Sequence, residues 1–219
     1  MDQIHPGFRY KESSIVLLGS FNLYIFQPPW LLGHGLLSES DVGPEVQIDL
    51  QTDLNRAGLR VANKEQEIVW AVRPDSLTLR CKKASINCGE LVGKVIELLP
   101  HTPLFAIGNN IEFEGGQLPE GFFGHEGQLP EGFRGEQRTW HRSARKNGNA
   151  INIQATELLR KGEESTRVSL NVHTDLLNQG LEFSIRMARE YRKQVHTAIA
   201  FANSLLGVHL EYEYNDHAA

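Results

Sequence analysis

Asn171, His173 and Asp175, three side chains at alternate positions, are the best placed for chemistry in this 219-residue sequence. In a strand, residues two apart project from one face about 7 Å from each other. Asp175 would fix the tautomer of His173 and leave it free to act as a general base. No serine or cysteine with a nucleophile signature accompanies them, and the plainer expectation is a solvated sheet face. Ser20 with His34 is a second, looser pair. Metal chemistry has nine histidines to draw on. None forms a His-x-x-x-His or His-Glu-x-x-His pair, and the Cys81–Cys88 spacing fits no common zinc module. The residues therefore commit to no catalytic centre, no metal and no cofactor, and they lean away from an enzyme.

Binding chemistry is better represented. Arg134, Arg138, Arg142, Arg145 and Lys146 fall within thirteen residues against one acid, Glu136, with Trp140 and His141 among them. Arginine and tryptophan dominate protein interfaces, and the same mixture suits phosphate contact and base stacking on a single strand. A net charge of -5 speaks against a general nucleic-acid binder, though not against a local basic patch. Just before this stretch, Gly116–Phe122 recurs as Gly127–Phe133, a tandem repeat of eleven-residue period. Two copies cannot build a solenoid, and their Gly and Pro content opposes helix and central strand. The repeat reads as a surface insertion that orders where its apolar side chains find a groove. Leu118, Phe122, Phe123, Leu129 and Phe133 would be the apolar anchors of an interaction surface, with Arg138, Trp140, Arg142, Arg145 and Lys146 as its polar margin.

The elements that must carry these residues follow from periodicity. Ile15–Leu18 is a short buried strand stopped by Gly19-Ser20, and a short helix starts at about Pro29 and fails at Gly33 or Gly35. Residues 46–81 alternate as an antiparallel meander, with Pro74 setting the turn before Leu77, Leu79 and Cys81 share a face. A helix over 87–99 with Asn87 and Glu90 as a capping pair, and a strand over 105–113, complete the first half. The second half repeats the alphabet: alternating runs at 151–155 and 168–172, then an amphipathic helix over 181–206 with Gly207 as its stop. Its apolar stripe is Leu181, Ile185, Ala188, Val195, Ile199, Ala202 and Leu206. Val208–Tyr214 reads as a last edge strand. At 40% hydrophobic residues the chain sustains a core, no apolar run reaches 18 residues, and no secretory signal opens it. Two cysteines do not make a disulfide scaffold. These features point to a cytoplasmic protein that does not enter membranes.

Two resemblances bear on function. Ile15–Asn22 followed by Gly33-His34-Gly35 is similar to the opening of nucleotidylyltransferases, where a GSFxP turn and a histidine motif hold a triphosphate. The match lacks a histidine between Asn22 and His34, and a meander follows in place of βαβ units. The stretch Trp70–Leu79, the helix and strand after it, and the strand 167–175 leading into the long helix resemble a sporadically distributed family of uncharacterised bacterial proteins. That resemblance implies two related α+β lobes, here residues 1–113 and 138–219 joined by the Gly-rich insertion 114–137. Each lobe is expected as a mainly antiparallel sheet with a helix on one face. It also implies a place in bacterial conflict loci, such as phage defence or toxin–antitoxin systems. The expected role is a non-catalytic binding or assembly subunit with a protein partner, self-association through an edge strand remaining open. A nucleic-acid-associated protein is one alternative. The other is a hydrolase or nucleotidyl or phosphoryl transferase using His173 and Asp175 or Ser20 and His34.

Overall fold

The computed structural model describes residues 7–38, 45–49, 57–63, 65, 67–123, 137–160 and 163–213. Period-2 segments form the strands β1 (Phe8–Gly19), β2 (Glu45–Asp49), β3 (Gly58–Ala62), β4 (Ile68–Arg73), β5 (Ser76–Cys81) and β6 (Leu104–Glu114). β7 (Gln137–Lys146), β8 (Asn149–Arg160), β9 (Glu163–Asp175) and the two-residue β10 (Leu210–Glu211) follow. The helices are α1 (Pro28–Gly33), α2 (Cys88–Leu98), α3 (Leu181–Arg189) and α4 (Tyr191–Leu206). The fold is α+β. One sheet runs β2-β3-β4-β5-β1-β6-β9-β8-β7 with every neighbour antiparallel, and β10 adds to β1 in parallel at Phe8 and Arg9. The expected meander over 46–81 is present as β2 to β5.

The two halves of the chain meet at β6 and β9, paired from Ala106↔Asp175 to Glu114↔Arg167. One core cluster consequently holds side chains from both: Ile15, Leu79 and Ile107 with Ile153, Leu170 and Val195. The inward rows of the strands build it, and α2, α3 and α4 pack on that face. Trp70, fully buried in β4, donates from Nε1 to the Leu36 carbonyl at 3.3 Å and ties the segment after α1 to the same core.

Three sequence expectations change in the structure. The helix expected over 181–206 breaks at Glu190, between α3 and α4. α3 packs on α2 while α4 lies against β6 and β9, two directions that one straight rod cannot follow. At its start the buried stripe runs through Ser184, Met187 and Ala188, which leaves Leu181 40% exposed. The Asn87–Glu90 cap does not form: Asn87 Oδ1 is buried without a hydrogen bond among the described residues, and Glu90 pairs with Arg189 at 3.4 Å. The last strand shrinks to Leu210–Glu211, because Tyr212 turns in to meet the rings of Tyr10 at 5.5 Å and His196 at 5.7 Å.

Hydroxyls and thiols gather beneath β1. The Tyr10 hydroxyl donates to the Cys81 carbonyl at 2.9 Å with Ser13 Oγ at 3.0 Å, and Ser13 Oγ lies 3.7 Å from Cys88 Sγ. The Tyr191 hydroxyl is buried with no hydrogen-bond partner among the described residues. Burial pushes the Tyr10 and Tyr191 hydroxyls far above their ordinary range. A group whose folded pKa is raised keeps its proton longer in the folded state. Its stabilisation is complete below the unfolded tyrosine value of about 10 and is lost as pH rises beyond it. Above about pH 10 the stability read from urea unfolding should fall, each tyrosine contributing a slope of about 1.4 kcal/mol per pH unit. Tyr191→Phe should remove roughly half that slope and, having no hydrogen bond to lose, leave neutral-pH stability intact or improved.

Candidate binding groove and sheet faces

Asn171 and His173 share the face of β9 away from the helices, while Asp175, at the end of the strand, borders a cleft on the helix side. Their surroundings separate them. Cross-strand register places Ser143, Asn152, Asn171, Asn110 and Ser14 in one row across β7, β8, β9, β6 and β1. Their side chains bond in series, Ser143 to Asn152 at 2.7 Å, Asn152 to Asn171 at 3.0 Å, Asn171 to Asn110 at 2.8 Å and Asn110 to Ser14 at 3.3 Å. Asn171 is therefore a rung in a polar ladder that fastens five strands. His173, opposite Gly108 and Ala150, is exposed, and among the described residues its side chain makes no hydrogen bond or ion pair. Asp175 ends β9 and accepts the Leu177 N–H at 2.8 Å, holding the turn into α3.

Ser20 and His34 are held by different neighbours. The Ser20 N–H donates to the Pro103 carbonyl at 3.1 Å, while the His34 ring meets Trp30 edge-on at 4.8 Å. Cys81 and Cys88 are free thiols, both fully buried. The neighbouring Cys88 thiol, together with burial, raises Cys81, while Cys81 and then Ser13 lower Cys88.

The first copy of the tandem repeat does find a groove, on its own chain. Leu118 and Phe122 are half-buried against the core, and the Phe122 ring lies 5.3 Å from Trp140 and 5.3 Å from Phe123. Arg138 sits over Phe123 at 5.3 Å and donates from Nε to Glu157 at 2.8 Å. Leu118, Phe122, Phe123, Arg138 and Trp140 thus brace β7 from within. Leu129 and Phe133 lie outside the described residues. Arg142, Arg145 and Lys146 stay exposed on β7, the last strand of the sheet, and form no ion pair or side-chain hydrogen bond among the described residues.

Beside those cations the inward face of the sheet is incompletely covered. β7 and β8 turn through Asn147 (φ 51°) and Gly148 (φ 83°), a two-residue hairpin whose left-handed positions suit this Asn-Gly pair. Past that turn a cleft of about 560 Å³ opens between β8, β9 and the α3–α4 junction, and a trough of about 580 Å³ continues between α4 and β7. Lys146, Ile151 and Thr197 line both. Gln194 fixes the helix wall: its Oε1 accepts from Asn109 Nδ2 at 2.7 Å and its Nε2 donates to the Met187 carbonyl at 3.2 Å, all buried. Thr174 donates to Asn149 at 2.8 Å and steadies the hairpin wall. Arg186 and Lys193 add positive charge to the cleft, and Asp175 and Glu190 negative.

The helix wall of this groove escapes the sequence reading. Lys193, Thr197 and Ala200 sit on α4 between its apolar stripe and its charged side, and they become a wall because β7 reaches past the helix. The hairpin had a signal in Asn147-Gly148. The polar ladder had one in the alternating asparagines and serines of separate strands, whose alignment depends on register. Among the described residues, no three histidine, cysteine, aspartate or glutamate side chains gather as a metal site would require. No protein-family model and no curated protein sequence matches this chain, so the groove and the basic strand stand on their own geometry.

Proposed function

We propose that the chain is a non-catalytic binding or assembly subunit of a bacterial multi-protein system, of the phage-defence or toxin–antitoxin kind. One observation carries the reading: Arg142, Arg145 and Lys146, exposed and without ion pairs among the described residues, stand on the terminal strand β7, where Arg145 and Lys146 border an open groove. An edge strand with exposed backbone groups invites a partner, and exposed arginines on a braced scaffold are the usual makings of an interface. The scattered settings of His173, Asp175, Ser20 and His34 lend no support to a reaction centre. The two halves each run from strands into helix, which supports related lobes fused through β6 and β9. Two buried free thiols suit the reducing cytoplasm.

A tagged chain carrying Arg142→Glu, Arg145→Glu and Lys146→Glu should fold as the parent does and lose its partner in pull-downs from the source organism. Undiminished capture would sink the proposal. The nucleic-acid alternative draws on the same cations, but Trp140, the aromatic among them, is turned onto Phe122 and away from any base. Binding of a single-stranded oligonucleotide that weakens steeply from 50 to 200 mM salt, at roughly one phosphate contact per unit of log-log slope, would favour that alternative.

A further inference from the structure

We infer that the groove between α4 and the β7–β8 hairpin takes an acidic, extended segment of a protein partner. The inference rests on the binding-subunit reading and specifies what that surface holds. From Lys193 to Phe201 the helix wall extends about 12 Å, at 1.5 Å per residue. That accommodates three or four residues of extended chain at about 3.3 Å each, and the adjoining cleft lengthens the track. The floor is aliphatic, from Ala144 and Ile151 on the sheet and Ala200 on the helix. Arg145 and Lys146 stand on one rim and Lys193 on the other, with Arg186 farther along. In a chain of net charge -5, four cations against two acids around one furrow, with Lys193 3.9 Å from Glu190, are a local reversal of sign. They complement carboxylates carried between small apolar side chains.

The same furrow suits a nucleic acid poorly. Asp175 and Glu190 line its far end and would repel a phosphate backbone running through. Phe183, which could otherwise stack a base, has Arg186 over its ring at 5.2 Å. A peptide can place a polar or basic residue opposite those two acids, whereas a uniform polyanion cannot.

The test is selection of a phage-displayed library of random dodecapeptides on the full-length chain, followed by anisotropy measurements on the enriched peptides. Enrichment of aspartate and glutamate interleaved with aliphatic residues is expected. Ala200→Glu, an exposed helical position where glutamate is well tolerated, should weaken those peptides at least tenfold, and so should raising salt from 50 to 500 mM. Enriched peptides without acids, equal binding by the Ala200→Glu chain, or no enrichment at all would each overturn the assignment. A twelve-residue oligodeoxythymidine that binds more tightly than any selected peptide would overturn it too. The two proposals fail separately. If the triple β7 variant loses the native partner while Ala200→Glu keeps it, the groove assignment falls and the binding-subunit reading survives. If neither variant loses it, both fall.

Discussion

Gln194→Leu is expected to destabilise the protein by about 3 kcal/mol at neutral pH. The substitution keeps volume and helix propensity nearly constant, so the loss comes from polar groups left behind. Asn109 is wholly buried on β6, its Oδ1 lacks a partner among the described residues, and its Nδ2 donates to Gln194 at 2.7 Å. Removing Gln194 strands that amide and takes a donor from the Met187 carbonyl. Each orphaned buried group costs about 1–3 kcal/mol, against about 1 kcal/mol for an ordinary hydrogen bond. Replacing both partners should do less harm than replacing one. The Asn109→Leu/Gln194→Leu double variant is expected to recover at least 1 kcal/mol relative to Gln194→Leu. Urea denaturation with an unchanged slope decides the matter, and a double variant less stable than Gln194→Leu would refute it. Because the pair anchors α4 to β6, Gln194→Leu should also loosen the groove wall, visible as faster amide exchange over 191–201.

Gly89→Ala is expected to cost about 2 kcal/mol even though alanine is the better helix former. A Cβ at Gly89 would collide with the Ala188 carbonyl oxygen and sit 2.5 Å from Tyr191 Cβ, both flanking the interruption of the helix at Glu190. Backbone cannot swing aside as a side-chain tip can. Overpacking of this kind costs up to about 3 kcal/mol, and the gain in helix propensity returns about 1 kcal/mol of it. Gly93, one turn on, provides the contrast. There a Cβ would meet the Arg189 side chain, nearest at 3.1 Å, which can shift while keeping its ion pair with Glu97 at 2.8 Å. Gly93→Ala should therefore be neutral or stabilising by up to about 1 kcal/mol. Thermal melts of the two variants should move in opposite directions, and equal shifts would show that the helix crossing is not where Gly89 matters.

These two glycines also mark how far the sequence could be read. By local propensity each is a defect in an otherwise helical run, because propensity is local and the atoms that make one of them necessary lie a hundred residues away. The same division recurs elsewhere. Period-2 alternation located the strands from β2 to β6, and β8 and β9 of the second half, since one buried face imposes it whatever the partner strand; β7 was legible only as a basic stretch, because most of its residues stay exposed. Helical spacing located α2 and the α3–α4 region for the same reason, yet missed the break at Glu190: the buried stripe keeps its phase across it, and the bend is imposed by what each segment packs on.

The residue alphabet by itself determined the class of fold, the buried rows, the basic character of β7 and the shared face of Asn171 and His173. Tertiary structure alone decided that Asn171 belongs to a five-strand ladder. It also turned Phe122 and Trp140 toward each other and left a furrow between α4 and the hairpin. Alternation follows from one residue's own exposure to water. Ladders, braces and grooves depend on register and on where separate elements end, and those are set by contacts between residues far apart in the chain.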